Sequence, residues 1–263
     1  MLAFPSLRLT LKNNGIAVGT FCELPCAESV EITALAGWDF VVVDCEHAPI
    51  TAAALPGLVR AAAAAGVPAI VRVASNDAAA IQHALDCGAA GVQVPQIASV
   101  DAARRAIAAA RFHPTGERGF NPFVRAASYS VVPVADFMTR AADNVLLALQ
   151  VESAAGVESL PGILELDGID VIFIGPYDLS QSLGIPGDVS HPDVLATAGR
   201  IAEAVNRRGM TCGVFTGSER DTPAWLGRGI RYLCCGVDTV ALLEASRQKL
   251  LNIRAYCDNL SHS

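Results

Sequence analysis

Residues 144–178 read NVLLALQVESAAGVESLPGILELDGIDVIFIGPYD. Two apolar runs, 144–151 and 170–174, flank a helix-prone segment at 153–167. Neither run alternates between apolar and polar residues. Continuous apolar runs of this length are how parallel strands buried on both faces read. Each run gives way to polar residues at its end: Gln150 and Glu152 after the first, Gly175-Pro176-Tyr177-Asp178 after the second. A strand, a helix and a second strand of this kind form the repeating unit of an α/β fold.

The same alternation extends in both directions. Further strands are expected at 15–21, 38–44, 68–73, 91–95, 209–215 and 230–235, which makes eight with the two already named. Helices are expected at 192–208 and 238–256, and another from Asp77, capped by Asn76, with Ile81 and Leu85 on one face and Gly88 past its end. The helix after the second strand begins at Thr51 or, given Pro56-Gly57, later. Eight strands in 263 residues point to one closed (β/α)₈ barrel, a TIM barrel, spanning 1–263. No Gly-rich dinucleotide turn follows the first strand, which argues against a Rossmann fold. One connection is anomalous. About thirty residues, 112–143, separate the fourth helix from the fifth strand, and they carry Arg118, Gly119, Asn121 and Arg125.

Composition narrows the function. Hydrophobic residues make up 52% and charged residues 17%, so the chain can bury a large core. The net charge of −7 and the lack of a basic stripe argue against nucleic acid or an anionic membrane as partner. The N-terminus shows no targeting segment and no stretch reads as a membrane span, which points to the cytoplasm. Eight irregularly spaced cysteines read as reduced thiols; Cys22 and Cys26 lack the second pair that a zinc site needs.

In a barrel of this type the strand ends converge on one mouth. The polar residues expected there are Asp44, Glu46, His47, Arg72, Gln150, Glu152, Asp178 and Asp238. Glu152 and Asp178 come from adjacent strands. Two neighbouring carboxylates repel, and burying them unpaired is costly. A hard divalent cation, Mg²⁺ or Mn²⁺, resolves both problems and leaves positions open for a chelating 2-keto acid. The plainer alternative is that Glu152 pairs with an arginine and Asp178 caps a helix. Arg72 either donates to an enolate oxygen or pairs with an acid. Asp44 and His47 can form a carboxylate-oriented imidazole; a histidine just past a strand is also often structural. Gly175-Pro176-Tyr177-Asp178 offers amides for a carboxylate, or is an ordinary turn. His83, His113, His191 and His262 have no comparable neighbours in the sequence.

The two lysines, Lys12 and Lys249, both lie away from strand ends. A Schiff-base aldolase needs a lysine in the mouth, so enolate chemistry here requires another electron sink. No Gly-x-Ser-x-Gly elbow, P-loop or His-Glu-x-x-His motif is present.

The segments Val43-Asp44-Cys45-Glu46-His47-Ala48-Pro49, Arg72-Val73-Ala74-Ser75-Asn76-Asp77, Gly116-Glu117-Arg118-Gly119, Leu149-Gln150-Val151-Glu152-Ser153 and Ile174-Gly175-Pro176-Tyr177-Asp178-Leu179-Ser180, in this order, resemble the HpcH/HpaI family of metal-dependent aldolases. The resemblance covers most of the chain. It implies a barrel of the phosphoenolpyruvate/pyruvate type and a Mg²⁺, Mn²⁺ or Co²⁺ ion on Glu152 and Asp178. It further implies Arg72 on the keto oxygen, Gln150 on the substrate, His47 with Asp44 at a proton-transfer water, and amides around Gly175, Pro176 and Tyr177 on the carboxylate. Asp86 matches a position that in the family reaches a neighbouring subunit's site. A homohexamer, a trimer of dimers, is implied, with 238–256 as a helix swapped between subunits. The sequence departs from the family at Phe120-Asn121-Pro122-Phe123 and at Tyr177, where bulky residues stand on the aldehyde side.

The expected reaction is reversible cleavage of a 4-hydroxy-2-oxo acid to pyruvate and an aldehyde through a metal-stabilised enolate. An oxaloacetate decarboxylase, a citryl- or malyl-CoA-type lyase, and a non-catalytic keto-acid-binding protein are the alternatives.

Overall fold

A computed structural model describes residues 6–261. Eight parallel strands form the barrel: β1 (Ala17–Cys22), β2 (Phe40–Asp44), β3 (Ala69–Arg72), β4 (Gly91–Val94), β5 (Leu146–Val151), β6 (Val171–Ile174), β7 (Thr211–Thr216) and β8 (Ile230–Val237). They pair in chain order and β8 closes onto β1. All eight expected strands are present, each within three residues of its expected limits.

The continuous apolar runs arise because each strand is covered on both sides. In β2, Val41 and Val43 face the outer helices, while Phe40 and Val42 fill the barrel interior. In β5 the outer set is Leu147, Leu149 and Val151, and the inner set Leu146 and Ala148. The interior is plugged by aromatic rings: Phe40 stacks on Tyr232 at 4.5 Å between centroids, and Phe173 meets Tyr232 edge-on at 5.9 Å. The plug leaves little room where strands approach. A β-carbon on Gly91 would strike the Leu146 carbonyl and lie 3.0 Å from Ile70 Cδ1.

The period of two carries a consequence for function. Continuing the inward-facing series beyond the apolar plug reaches Asp44, Arg72, Gln93 and Gln150. Asp44, Arg72 and Gln93 stand in register across β2, β3 and β4. The top of the barrel is thus a polar layer on an aromatic floor.

Several local expectations need correction. Asn76 does not cap the helix after β3. Asp77 does, accepting from the Ala80 amide at 2.9 Å, and the helix runs Ala78–Asp86; the Asn76 side chain donates instead to the Ala102 carbonyl. The second-strand helix is Leu55–Ala64, with Pro56 in its first turn. The segment 153–167 is helical only over Ala154–Ile163, capped by Ser153. The long 112–143 connection is largely structured, with a 3₁₀ stretch at Arg125–Ser130 and a helix at Val134–Asn144. Phe137 anchors it against Phe112 at 5.9 Å. Cys22, Cys26, Cys45, Cys87, Cys212, Cys234 and Cys235 form no disulfide; Cys22 is buried, which pushes its thiol up to about 12, and Cys26 is exposed. His83 approaches the Ala52 carbonyl and His191 caps the helix Pro192–Arg207, while His262 lies outside the described residues.

The last helix, Asp238–Ser261, leaves the barrel immediately. From Val240 to Asn259 every residue is exposed, including Leu242, Leu243, Leu250, Leu251, Ile253 and Tyr256. Within one chain these side chains bury nothing. Among the described residues no helix is long and apolar enough to cross a membrane.

Two glycine substitutions should move stability in opposite directions. Gly91→Ala forces a methyl group into β5 backbone and should destabilise by about 1–3 kcal/mol. Gly57→Ala, in an exposed helical position with nothing within 4 Å of the new carbon, should stabilise by about 0.5–1 kcal/mol. Denaturant or thermal unfolding of the two variants beside the parent checks both signs.

Candidate active site

The barrel mouth holds a cavity of about 420 Å³, lined on one side by His47, Arg72 and Asp178 and on the other largely by aromatic and aliphatic side chains. Its chemistry begins with the polar layer. Arg72 donates from Nε to Asp44 Oδ1 at 2.8 Å and from Nη2 to Asp44 Oδ2 at 2.6 Å, a two-point pair between neighbouring strands. Asp44 is fully buried, and its Oδ1 also accepts the Glu46 amide at 2.9 Å. Arg72 Nη1 lies 3.4 Å from Glu46 Oε2, and the guanidinium stands 4.7 Å above the Phe21 ring. Burial opposes the Arg72 charge, but the hydrogen bonds and charges of Asp44 and Glu46 outweigh it and hold its pKa above the usual value.

This arrangement decides one open question and corrects one expectation. Arg72 is paired with an acid, and the pairing fixes its plane at the cavity wall. Asp44, however, does not orient the His47 ring. Both its oxygens are taken by Arg72, and its contact with His47 is to the backbone amide, at 3.4 Å. The imidazole is instead nearest Glu46, with Nε2 3.9 Å from Oε2, and its side chain is 59% exposed. Burial raises the Glu46 carboxyl, opposed by Arg72 and His47.

Glu152 follows β5 and is buried. It does not pair with an arginine. Oε1 accepts the Gln96 amide at 2.7 Å and Oε2 accepts from Gln150 Nε2. Gln150 is itself held by Gln93, whose Nε2 donates to Gln150 Oε1 at 2.7 Å. Burial pushes Glu152 up from 4.5 to about 7, against the hydrogen bonds from Gln150 and Gln96; the charges of Asp178 and Glu46 push the same way as burial. Gly175 begins the turn after β6 and touches this group: a β-carbon there would collide with Glu152 Oε2. A side chain at 175 would displace the Glu152 carboxylate from its present position.

Asp178 is in the first turn of the helix Pro176–Ser182, whose N-cap is Gly175, so it is not a capping side chain. It lines the cavity and adds negative charge at Glu152. Pro176 has no N–H, so the amides that this turn can offer a ligand are those of Tyr177 and Asp178, which have no intrahelical acceptor. Asp86 is not brought to the mouth of its own barrel. It ends the helix before β4, at the opposite face, and pairs with Arg118 at 2.7 Å. Asp238 has a structural place: its carboxylate accepts from Glu23 N, Leu24 N and Ser29 Oγ, tying the end of β8 to the loop after β1.

Sequence reasoning missed Gln93, Gln96, Phe21 and Phe215. Gln93 was findable as the one polar residue of β4. Gln96 was not, because its part depends on a positive φ of 57° that turns its amide toward Glu152 while its side chain reaches Glu46 at 3.3 Å.

A divalent cation fits the residues present. Glu152 and Asp178 are two oxygen-donor side chains whose charges oppose each other, and among the described residues Glu152 has no cationic group within ion-pair distance. Among the described residues no group of three or more His, Cys, Asp or Glu could hold a metal, so an ion here would have two protein carboxylates and leave its other positions to water or substrate.

Comparison with known proteins agrees with this geometry. The hydroxypyruvate/pyruvate aldolase of Paraburkholderia phytofirmans is 33% identical over 255 residues, covering 95% of this chain and 97% of the relative. The 5-keto-4-deoxy-D-glucarate aldolase of Salmonella paratyphi C is 34% identical over 249 residues, covering 94% and 96%. The crystal structure of an HpcH/HpaI aldolase/citrate lyase family protein from Burkholderia cenocepacia superposes with a TM-score of 0.89 at 34% identity, over 95% of this chain and 99% of that one. The sequence pattern of the HpcH/HpaI aldolase/citrate lyase family matches residues 17–245, from the first residue of β1 well into the last helix. With the strand-end carboxylates, the locked arginine and the barrel all inside that span, the chain belongs to the HpcH/HpaI aldolase/citrate lyase family.

Proposed function

We propose that the protein reversibly cleaves a 4-hydroxy-2-oxo acid to pyruvate and an aldehyde, with a divalent cation, Mg²⁺, Mn²⁺ or Co²⁺, held by Glu152 and Asp178. The observation that carries the reading is the pair of carboxylates at adjacent strand ends, one of them buried without a cation, beside an arginine fixed by two hydrogen bonds. The cation supplies positive charge for the oxygen that becomes negative as the carbon–carbon bond breaks.

The remaining work falls to side chains. Arg72, locked by Asp44 and Glu46, presents its guanidinium edge to the substrate's 2-keto oxygen without having to reorganise. The Tyr177 and Asp178 amides receive the substrate carboxylate, and Gln150, held between Gln93 and Glu152, orients the keto acid. His47, open to solvent and nearest Glu46, carries the proton of the C4 hydroxyl away through water. The O–H electron pair closes the aldehyde carbonyl, the C3–C4 pair becomes the C2–C3 double bond, and the C2 oxygen takes the negative charge. Return of a proton to C3 gives pyruvate.

The assembly reading uses the last helix. Its exposed leucines cover nothing in their own chain, which supports exchange of this helix with a second subunit in a hexamer built as a trimer of dimers. In such an assembly Asp86, placed away from its own mouth, is the residue offered to a neighbour's site.

Purified protein should release pyruvate from 4-hydroxy-2-oxo acids only with a divalent metal, and Glu152→Ala should abolish the activity; turnover surviving both chelation and this substitution would end the proposal. Arg72→Lys, which cannot make the two-point pair, should lower kcat/KM about 100-fold or more. The folded metal-free chain keeps a proton on Glu152 up to about pH 7, whereas the unfolded chain loses it near 4.5. Its stability contribution therefore falls as pH rises through that window. Glu152→Gln should accordingly raise the Tm of metal-free protein relative to the parent at pH 8, and the gain should fade toward pH 4.5. Removal of residues 239–263 should leave dimers and hexamers unable to form, read by sedimentation.

A further inference from the structure

The mouth cavity is divided. Its β2–β3 side carries His47 and Arg72, and the turn after β6 adds Asp178, while β1, β7 and the adjacent position of that turn carry Phe21, Phe215 and Tyr177. These three rings form one continuous arc. Phe21 meets Phe215 edge-on at 5.6 Å, and Phe215 meets Tyr177 at 5.9 Å with the planes 53° apart. Val237 at the end of β8 and Val240 in the first turn of the last helix extend the arc. Phe21 is buried beneath Arg72, Phe215 is half-buried, and Tyr177 is 51% exposed, so the ring at the outer end has a face free for a ligand.

We propose that this arc is the subsite for the aldehyde's substituent, and that the enzyme takes aldehydes bearing an uncharged aromatic or alkyl group in preference to hydroxylated or carboxylated ones. The inference rests on the aldolase reading above and adds the class of its second substrate. When the keto acid occupies the charged half, the aldehyde carbonyl must lie against Arg72 and His47, where proton and charge are handled. Its substituent is then left with the aromatic side of the cavity.

Charge and hydrogen bonding select among substituents. Among the described residues, Arg72 is the one arginine or lysine lining the cavity, and Asp44 and Glu46 already hold it. The other charged groups on the wall are Glu23 and Asp178, and the aldolase reading commits Asp178 to the cation. A carboxylated substituent on the aromatic side would meet Glu23 and find no arginine or lysine left to pair with. A polyhydroxylated one would surrender its water to a surface whose polar atoms on this side are few, and buried hydroxyls without partners are costly. An apolar substituent loses no hydrogen bonds, and a flat ring gains edge and face contacts with Phe215 and Tyr177.

The experiment separates this proposal from the reading beneath it. Wild-type protein with Mg²⁺ is assayed, without aldehyde, for exchange of pyruvate methyl protons in deuterated buffer. The kcat/KM for condensation of pyruvate is then measured with benzaldehyde, butanal, glycolaldehyde and succinic semialdehyde. Exchange together with a preference of about tenfold or more for benzaldehyde and butanal supports the subsite. Phe215→Ala should cut the benzaldehyde value about tenfold and the glycolaldehyde value less than about threefold. Phe215→Leu carries the comparison if the alanine variant does not fold, and should lower benzaldehyde more than butanal. Exchange with glycolaldehyde or succinic semialdehyde preferred, or an equal fall for every aldehyde in the Phe215 variants, overturns the subsite while leaving the aldolase reading standing. Absence of exchange in the wild type overturns both.

Discussion

The carboxylate of Glu152 is buried at the end of β5 with hydrogen bonds from Gln150 and Gln96 and, among the described residues, no arginine, lysine or histidine within ion-pair distance. Burial of an acid in that state is unfavourable, and the chain arranges much of its mouth around it. Gly175 forgoes a side chain that would displace the carboxylate. Gln96 adopts a left-handed backbone conformation to aim its amide at the acid. Gln93 on β4 and Gln150 on β5 form a relay that ends on it. Asp178 then brings a second negative charge close by, the juxtaposition on which the proposed cation site rests.

Arg72 shows the opposite economy. Its charge is fully compensated, by a two-point pair with Asp44 and a contact with Glu46, and its plane is further set by the Phe21 ring beneath it. A guanidinium so restrained has little orientation left to lose when a substrate oxygen arrives, which is where preorganised electrostatics gain over solvent. The same pairing withdraws Asp44 from His47. The imidazole lies nearest Glu46 instead, at a longer distance and with more exposure.

The contrast between the two halves of the mouth follows from strand order. The charged residues cluster on β2, β3, β5 and the turn after β6, and the rings on β1, β7 and that turn, so the closed barrel sets them face to face across one cavity. Tyr177 stands at the seam, beside Asp178 in sequence and beside Phe215 in space. One turn therefore borders both the carboxylates and the aromatic space opposite them.

The sequence alone was enough to determine eight strands, their parallel order and the mouth-side placement of Asp44, Arg72, Gln150, Glu152 and Asp178. Runs such as VVVD and LLALQV encode burial on both faces, and in a parallel barrel every strand ends on the same side. Pairing was beyond its reach. Whether Asp44 serves Arg72 or His47 depends on which side chains a two-residue pleat turns inward, and on a register that sets Asp44 level with Arg72. Asp77 rather than Asn76 capping its helix, Gln96 turning its amide inward, and Asp86 facing away from its own mouth are likewise matters of backbone direction. Those are decided only when distant strands are brought to within a few ångströms, because hydrogen bonds and ion pairs act at that range while hydrophobic periodicity acts along the chain.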